Sequence, residues 1–145
     1  MATKISKNFT LEELYASSTA KAKGINNTPT PQAIINLTYL VSKVLQPLRV
    51  YAQEPIKIGS GYRSPALNRA VEGVSNSQHM TGQAADLCID GNIEKGRKWF
   101  DLIRRNLPFD QLIWEKNLKT GSYWVHVSFN AEGNRGQVID GLLKK

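Results

Sequence analysis

Residues 123–129 alternate between apolar and polar side chains, with His126 among the polar ones. Because successive side chains of a β-strand point to opposite faces of the sheet, this alternation predicts a strand with one buried apolar face and His126 on the other. Residues 84–89 and 111–115 alternate in the same way. The three strands can bury their apolar faces together if they lie in one sheet.

The polar face of that sheet gathers ionisable residues. Asp86 is out of phase with the apolar residues of its segment, and so is Glu115, so that one sheet can present both beside His126. His79 lies shortly before the first strand, and Gly82 permits a tight turn that brings His79 towards Asp86. Two imidazoles and a carboxylate suit a catalytic zinc site with three protein ligands, whereas structural zinc often uses several cysteines and this chain has one.

Helical signals lie before and between these strands. Thr30 and Pro31 are a cap and a first-turn proline ahead of an amphipathic segment that we expect to bend or end near Pro47. Ser64 caps a predicted short helix, and residues 93–107 predict a further amphipathic one. The chain is therefore predicted to be α+β, with a small antiparallel-rich sheet and helices packed mainly on one face.

The length and charge of the chain limit the classes of protein to which it can belong. The chain has 145 residues, which predicts a single domain over residues 1–145. Its net charge of +7 favours polyanionic partners, but the basic residues are dispersed and we expect no nucleic-acid partner. Without an apolar segment of roughly 18 residues or a signal-peptide pattern, we expect neither stable membrane insertion nor export by the usual signal route. Cys88 is interpreted as a small packed residue.

Several motifs together resemble one enzyme family. Residues 77–86 read SQHMTGQAAD and fit S-x-H-x-x-G-x-A-x-D, while Trp124 and His126 fit W-x-H. With SGYRS at residues 60–64, the chain resembles the M15 or LAS zinc peptidases, the D-Ala-D-Ala carboxypeptidases and L-Ala-D-Glu endopeptidases that cut bacterial cell-wall peptides. The resemblance covers roughly residues 30–130, extends closely to the short phage-associated branch, and implies a LAS or Hedgehog-like zinc peptidase fold.

The resemblance also implies roles for single residues. Zinc (Zn2+) ligation is implied for three of them, His79, Asp86 and His126. Many family members place a catalytic acid three residues before the second histidine, where this chain has Tyr123. We therefore predict Glu115 as the general base that takes a proton from the attacking water. Asp110 is the alternative base, although a capping role suits it equally well.

Four further residues are predicted to contact substrate. By resemblance, Arg63 would bind a substrate carboxylate or stabilise the oxyanion, and its alternative is a solvated or helix-flanking arginine. Ser77 and Gln83 are predicted to bind substrate or to be ordinary turn residues. Trp124 is predicted to form a wall of the pocket, with simple packing as its alternative.

These features predict a zinc-dependent peptidase that hydrolyses peptide bonds in bacterial peptidoglycan stem peptides, as a carboxypeptidase or an endopeptidase. We expect a monomeric endolysin, made in the bacterial cytoplasm without a signal peptide and released to the wall in a phage or prophage context. The alternative is a zinc-stabilised wall-binding module without catalysis, which the missing acid at Tyr123 favours. Residues 130–145 match no pattern.

Overall fold

A five-stranded sheet organises the chain. The computed structural model describes residues 3–144. The strands are β1 (Lys57–Ser60), β2 (Ala84–Cys88), β3 (Gln111–Asn117), β4 (Tyr123–Ser128) and β5 (Gln137–Lys144). They lie in the order β1-β2-β4-β3-β5, with antiparallel pairing throughout except between β3 and β5, which are parallel. The predicted α+β fold with an antiparallel-rich sheet is confirmed.

Strand register sets which side chains share a face. Asp86 is opposite His126 across β2 and β4, and Ile113 is opposite His126 across β3 and β4. Glu115 is opposite Trp124 on the same pair of strands. Because opposed residues of antiparallel strands point to the same side, all five side chains lie on one face, as the alternation predicts.

Helices follow in chain order as α1 (Ser18–Lys23), α2 (Pro31–Leu40), α3 (Gln46–Ala52), α4 (Pro65–Ala70) and α5 (Ile93–Asn106). The hydroxyl of Thr30 accepts a hydrogen bond from the N–H of Ala33 at 3.1 Å, which is the expected cap of α2. The helix neither ends nor breaks at Pro47, because Val41–Leu45 form a π-helical segment that carries the chain from α2 into α3. Its wider turn accommodates a residue that has no N–H to donate.

The core lies between the apolar face of the sheet and the helices. Its fully buried side chains include residues from α2, the π-helical segment, α3 and α5 and from three strands: Leu37, Leu40, Val44, Leu48, Trp99, Phe100, Leu87, Leu112 and Val125. The helices therefore cover one face of the sheet and leave much of the polar face available for a site. None of the described helices is long and apolar enough to cross a membrane.

Two features differ from the sequence-based expectation. Cys88 is only half-buried, because it has the same parity as Asp86 on β2 and so points away from the core. Residues 130–145 were assigned no structure, yet they include β5, which pairs with β3 from Gln111 and Gln137 onward and forms one edge of the sheet. The side chains described for β5 are exposed except Ile139, which is half-buried, so that no apolar alternation marks this strand.

Candidate metal centre

Three of the predicted residues converge on the polar face of the sheet. Nε2 of His79 lies 3.3 Å from Oδ1 of Asp86, and Nδ1 of His126 lies 2.9 Å from the same oxygen. One donor atom from each residue lies within 4.8 Å of the other two. Within the part of the chain that the structure describes, this is the single group of three such residues that could hold a metal ion.

The donor set fits zinc. Zinc bonds to nitrogen and oxygen of about 2.0 to 2.2 Å in a tetrahedron separate neighbouring ligand atoms by roughly 3.3 Å. The measured separations of 3.3 and 2.9 Å from Asp86 to His79 and His126 are close to this value. Two nitrogens and one oxygen leave one of four positions open, which is the ligand count of a catalytic zinc site.

His79 is oriented as a metal ligand would need to be. Its side chain is buried, and Nδ1 lies 2.7 Å from the carbonyl oxygen of Gly61. Because a carbonyl oxygen only accepts, Nδ1 carries a hydrogen, and Nε2, on the side of Asp86, is the nitrogen available to a metal. Burial lowers the pKa of His79 below its ordinary value, and a neutral ring is the form that binds a metal.

The local sequence explains how His79 is placed. It lies in a single 3₁₀ turn, Gln78–Thr81, whose N-terminus is capped by Ser77 through a 3.1 Å hydrogen bond from the N–H of His79. Gly82 ends the turn with φ of 77°, and a Cβ at that position would overlap the carbonyl of Ala33. The S-x-H-x-x-G motif is therefore a capped turn that ends at a required glycine.

Gly61→Ala is expected to lower both the free energy of unfolding and the affinity for zinc. A Cβ at Gly61 would overlap the carbonyl oxygen of Leu14, and relief of that overlap would move the carbonyl that orients His79. Overpacking of this kind costs about 1 to 3 kcal/mol. Urea unfolding and zinc titration measure the two effects, with Gly59→Ala as the control because its new methyl would meet only an ordinary contact at 3.4 Å. Equal behaviour of the two variants would contradict the prediction.

Asp86 is an ionised carboxylate. Burial opposes its ionisation, but the two imidazoles outweigh that effect and hold the pKa of Asp86 well below its usual range. Nη2 of Arg63 approaches its second oxygen at 3.4 Å. Arg63 is itself held through Nε by Ser60 at 3.2 Å and through Nη1 by Asn68 at 3.0 Å. The guanidinium predicted to meet substrate is thus held in position beside Asp86.

A cavity of about 520 Å³ opens over this cluster. Its floor crosses four strands, because β2, β4, β3 and β5 each contribute lining side chains, among them Asp86, His126, Glu115 and Ile139. Neighbouring strands are about 4.8 Å apart, so the floor is roughly 14 Å wide. That width accommodates about four residues of an extended peptide.

Glu115 lies in this cavity, as its predicted role requires. It is 4% exposed and lines the cavity together with all three clustered residues. Glu115 is opposite Trp124, so it is a diagonal neighbour of His126, a separation of about 7 to 8 Å that a long side chain spans. Tyr123, at the position of the family's usual acid, instead stacks on Trp114 with ring centroids 5.2 Å apart.

Asp110, the alternative base, is differently placed. It is 3% exposed, and it is not among the residues that line the cavity. Its oxygens accept hydrogen bonds from the backbone N–H and guanidinium of Arg135 and from Nε2 of Gln78, at 2.8 to 3.0 Å. The hydrogen bond from Arg135 lowers the pKa of Asp110 to about 2. A carboxylate so engaged is a weak proton acceptor, and its position indicates a structural role.

The Asp110–Arg135 pair is expected to make stability depend on acid pH. The pKa of Asp110 falls from 3.8 to about 2 on folding, so the pair stabilises fully above about pH 4, and this stabilisation is lost as pH falls towards 2. Because Arg135 is partly exposed, we expect the pair to contribute about 1 to 2 kcal/mol to the free energy of unfolding. Urea unfolding of wild type and Asp110→Asn between about pH 2.5 and 7 measures it. If the difference in free energy of unfolding between the two proteins did not change with pH, the low pKa assigned to Asp110 would be contradicted.

The remaining predicted substrate contacts differ in whether they reach the cavity. Ser77 and Trp124 line the cavity. Trp124 has a buried Nε1 with no hydrogen-bond partner among the described residues. Gln83 is not among the lining residues, because it follows the turn that Gly82 ends, and its side chain accepts a hydrogen bond from Thr81 at 2.6 Å. The structure therefore does not bring Gln83 to the cavity.

Sequence reasoning missed three residues that build this region: Asn68, Gln78 and Arg135. Gln78 lies inside the quoted motif at one of its variable positions, so that no pattern distinguishes it. Arg135 lies in a polar segment that matches no motif. The contacts of Gln78 and Arg135 with Asp110 join residues that are 32 and 25 positions apart in the chain.

Comparison with known proteins gives two matches. Residues 7–128 match a family model described as Peptidase M15. The chain is also 35% identical over 80 residues to a protein of Streptomyces albus G named zinc D-Ala-D-Ala carboxypeptidase. That alignment covers 55% of this chain and 31% of the relative, so the chain matches about a third of that protein's length.

Proposed function

Because the chain belongs to the peptidase M15 family of zinc metallopeptidases, we propose that it hydrolyses peptide bonds in bacterial peptidoglycan stem peptides. One observation carries this proposal: His79, Asp86 and His126 converge on the floor of a cavity that Glu115 also lines. The name of the Streptomyces relative supports a cell-wall peptide as substrate. The width of the cavity floor supports a substrate of several residues.

The residues of the cavity have separate tasks in this reaction. When bound, zinc supplies Lewis acidity that polarises a carbonyl and acidifies water. Glu115 accepts a proton from the attacking water and delivers it to the leaving amine. Arg63 donates hydrogen bonds to the negative charge that develops on the carbonyl oxygen, or to a carboxylate of the substrate. Ser60 and Asn68 hold that guanidinium in place.

The proposed setting is an endolysin of a phage or prophage, made in the bacterial cytoplasm and released to the wall. The resemblance to the short phage-associated branch supports this setting, and the net charge of +7 would keep the protein on an anionic wall. Turbidity loss of outer-membrane-permeabilised Gram-negative cells tests it. Cleavage of purified peptidoglycan without lysis of such cells would argue for another setting.

The proposed reaction is tested with purified peptidoglycan. We expect stoichiometric zinc in the protein and new peptide termini in mass spectra, both lost after chelation and restored by added zinc. Release of free D-Ala would identify a carboxypeptidase, and new internal termini would identify an endopeptidase. Absence of any new terminus from the zinc-loaded protein would refute the proposal.

A zinc-stabilised wall-binding module is the second candidate. The observation that favours it is Tyr123, which packs on Trp114 where the family usually has an acid. A zinc-loaded protein that sediments with peptidoglycan and never cleaves it would establish this function.

A further inference from the structure

Arg135 lines the cavity but has no task in the proposed reaction. It lies just before β5, in the segment that matches no sequence pattern. Its side chain is 58% exposed, whereas the carboxylate of its partner Asp110 is 4% exposed. The pair therefore has an inner anion and an outer cation, and the cation borders the cavity.

One edge of the guanidinium is occupied. Oδ1 of Asp110 accepts from the backbone N–H of Arg135 at 2.8 Å and from Nε at 3.0 Å, and Oδ2 accepts from Nη2 at 2.9 Å. Gln78 holds Oδ2 from the other side at 2.8 Å. Asp110 is thus anchored in the protein, and it fixes the orientation of the arginine.

The other edge of the guanidinium is available. No described residue accepts a hydrogen bond from Nη1 of Arg135. A guanidinium presents two forked edges, and the edge formed by Nη1 and Nη2 still offers two parallel N–H groups. Such a fork matches the two oxygens of a carboxylate. Arg63, the other arginine that lines the cavity, lies 3.4 Å from Asp86 and already has a task in the proposed reaction.

The position of Arg135 fits a substrate group away from the scissile bond. Arg135 precedes β5, and β3 separates β5 from β4, the strand that carries His126. Two strand spacings are about 10 Å, which corresponds to roughly three residues of extended peptide. A carboxylate bound there would belong to a residue about two to three positions from the scissile bond.

We propose that Arg135, oriented by Asp110, binds a carboxylate of the peptide about two to three residues from the scissile bond. This proposal rests on the proposed peptidase function and deepens it, because it makes the substrate an acidic peptide. The enzyme then prefers a peptide whose carboxylate is free over the same peptide with a carboxamide at that place. A neutral amide cannot accept two hydrogen bonds from the fork or match its charge.

The test uses synthetic stem peptides that differ in a single group. One peptide has all its side carboxylates free, and each of the others has one of them replaced by a carboxamide. We expect kcat/KM of wild type to fall about tenfold for one of the amidated peptides, the size expected for a hydrogen bond to a charged group. The ratio of kcat/KM for the free peptide to kcat/KM for that amidated peptide is then about ten in wild type, and we expect it to be about one in Arg135→Gln.

Arg69→Gln is the matched control, because Arg69 is an exposed arginine of α4 that does not line the cavity. It is expected to keep the tenfold ratio, and Arg135→Lys, which keeps the charge without the fork, to keep part of it. A ratio that survives in Arg135→Gln would overturn the proposal. So would an equal loss on all peptides, which would show that Arg135 acts only through Asp110.

Failure of the proposed peptidase function can be distinguished from failure of the carboxylate site. If zinc-loaded wild type cleaves none of the peptides, the peptidase assignment fails, and calorimetric binding of the same peptides then tests the anchor. Tighter binding of the free carboxylate that Arg135→Gln abolishes would support a carboxylate site. Equal binding of all peptides by wild type would overturn it.

Discussion

Glu115→Gln is expected to lower kcat/KM for peptidoglycan peptides by about 10² to 10⁴-fold, the range typical of loss of a general base, and to leave the zinc content unchanged. The carboxamide keeps the size of the side chain but cannot take a proton from water. Glu115 lines the cavity together with the three clustered residues and lies outside the ligand set. Loss of turnover with retained metal is therefore the expected signature.

The measurement combines zinc analysis with mass spectrometry of peptide cleavage. Glu132→Gln serves as the control, because Glu132 is an exposed acid in the segment before β5 and does not line the cavity. Activity of Glu115→Gln within about threefold of wild type would place the general base elsewhere. Loss of zinc from Glu115→Gln would instead indicate a role in the metal centre.

Asp86→Asn is expected to abolish both stoichiometric zinc and cleavage. The carboxylate supplies the negative charge of the proposed ligand set, and both imidazoles approach its Oδ1, at 3.3 and 2.9 Å. A neutral amide is a poorer ligand for a divalent cation. The substitution also leaves Arg63 beside a group without charge, which weakens the hydrogen bond at 3.4 Å.

Zinc titration, cleavage and thermal unfolding together test this expectation. Asp101→Asn is the matched control, because Asp101 is a half-buried acid on α5 outside the ligand set. Since a ligand that binds only the folded state stabilises it, excess zinc should raise Tm of wild type and of the control but not of Asp86→Asn. A folded Asp86→Asn protein that retains one zinc per chain would remove Asp86 from the ligand set.

The polar face of the sheet shows how much local sequence predicts. Strand parity is a period of two residues, so it is readable from a few neighbours, and it correctly set Asp86, Glu115 and His126 on one face. The cap at Thr30 was equally local. The strand β5 was not predictable in this way, since its exposed side chains carry no alternation and its pairing depends on the free edge of β3.

The roles of the two candidate acids depended on distant contacts. Asp110 directly precedes β3 and Glu115 lies in its second half, and the sequence left either acid as a candidate base. The structure buries Asp110 against Arg135 and Gln78, which are 25 and 32 positions away in the chain, and lowers its pKa to about 2. Glu115 instead lines the cavity.

The sequence by itself determined the faces of the strands and the family and predicted His79, Asp86 and His126 as a cluster, because motif spacing and alternation are encoded in neighbouring positions. Only the tertiary structure decided that Asp110 orients Arg135 towards the cavity and that Gln83 lies outside it. Burial, hydrogen-bond partners and pKa arise where segments distant in the chain meet. For that reason, only the tertiary structure showed that Arg135 is a second cationic group of the cavity.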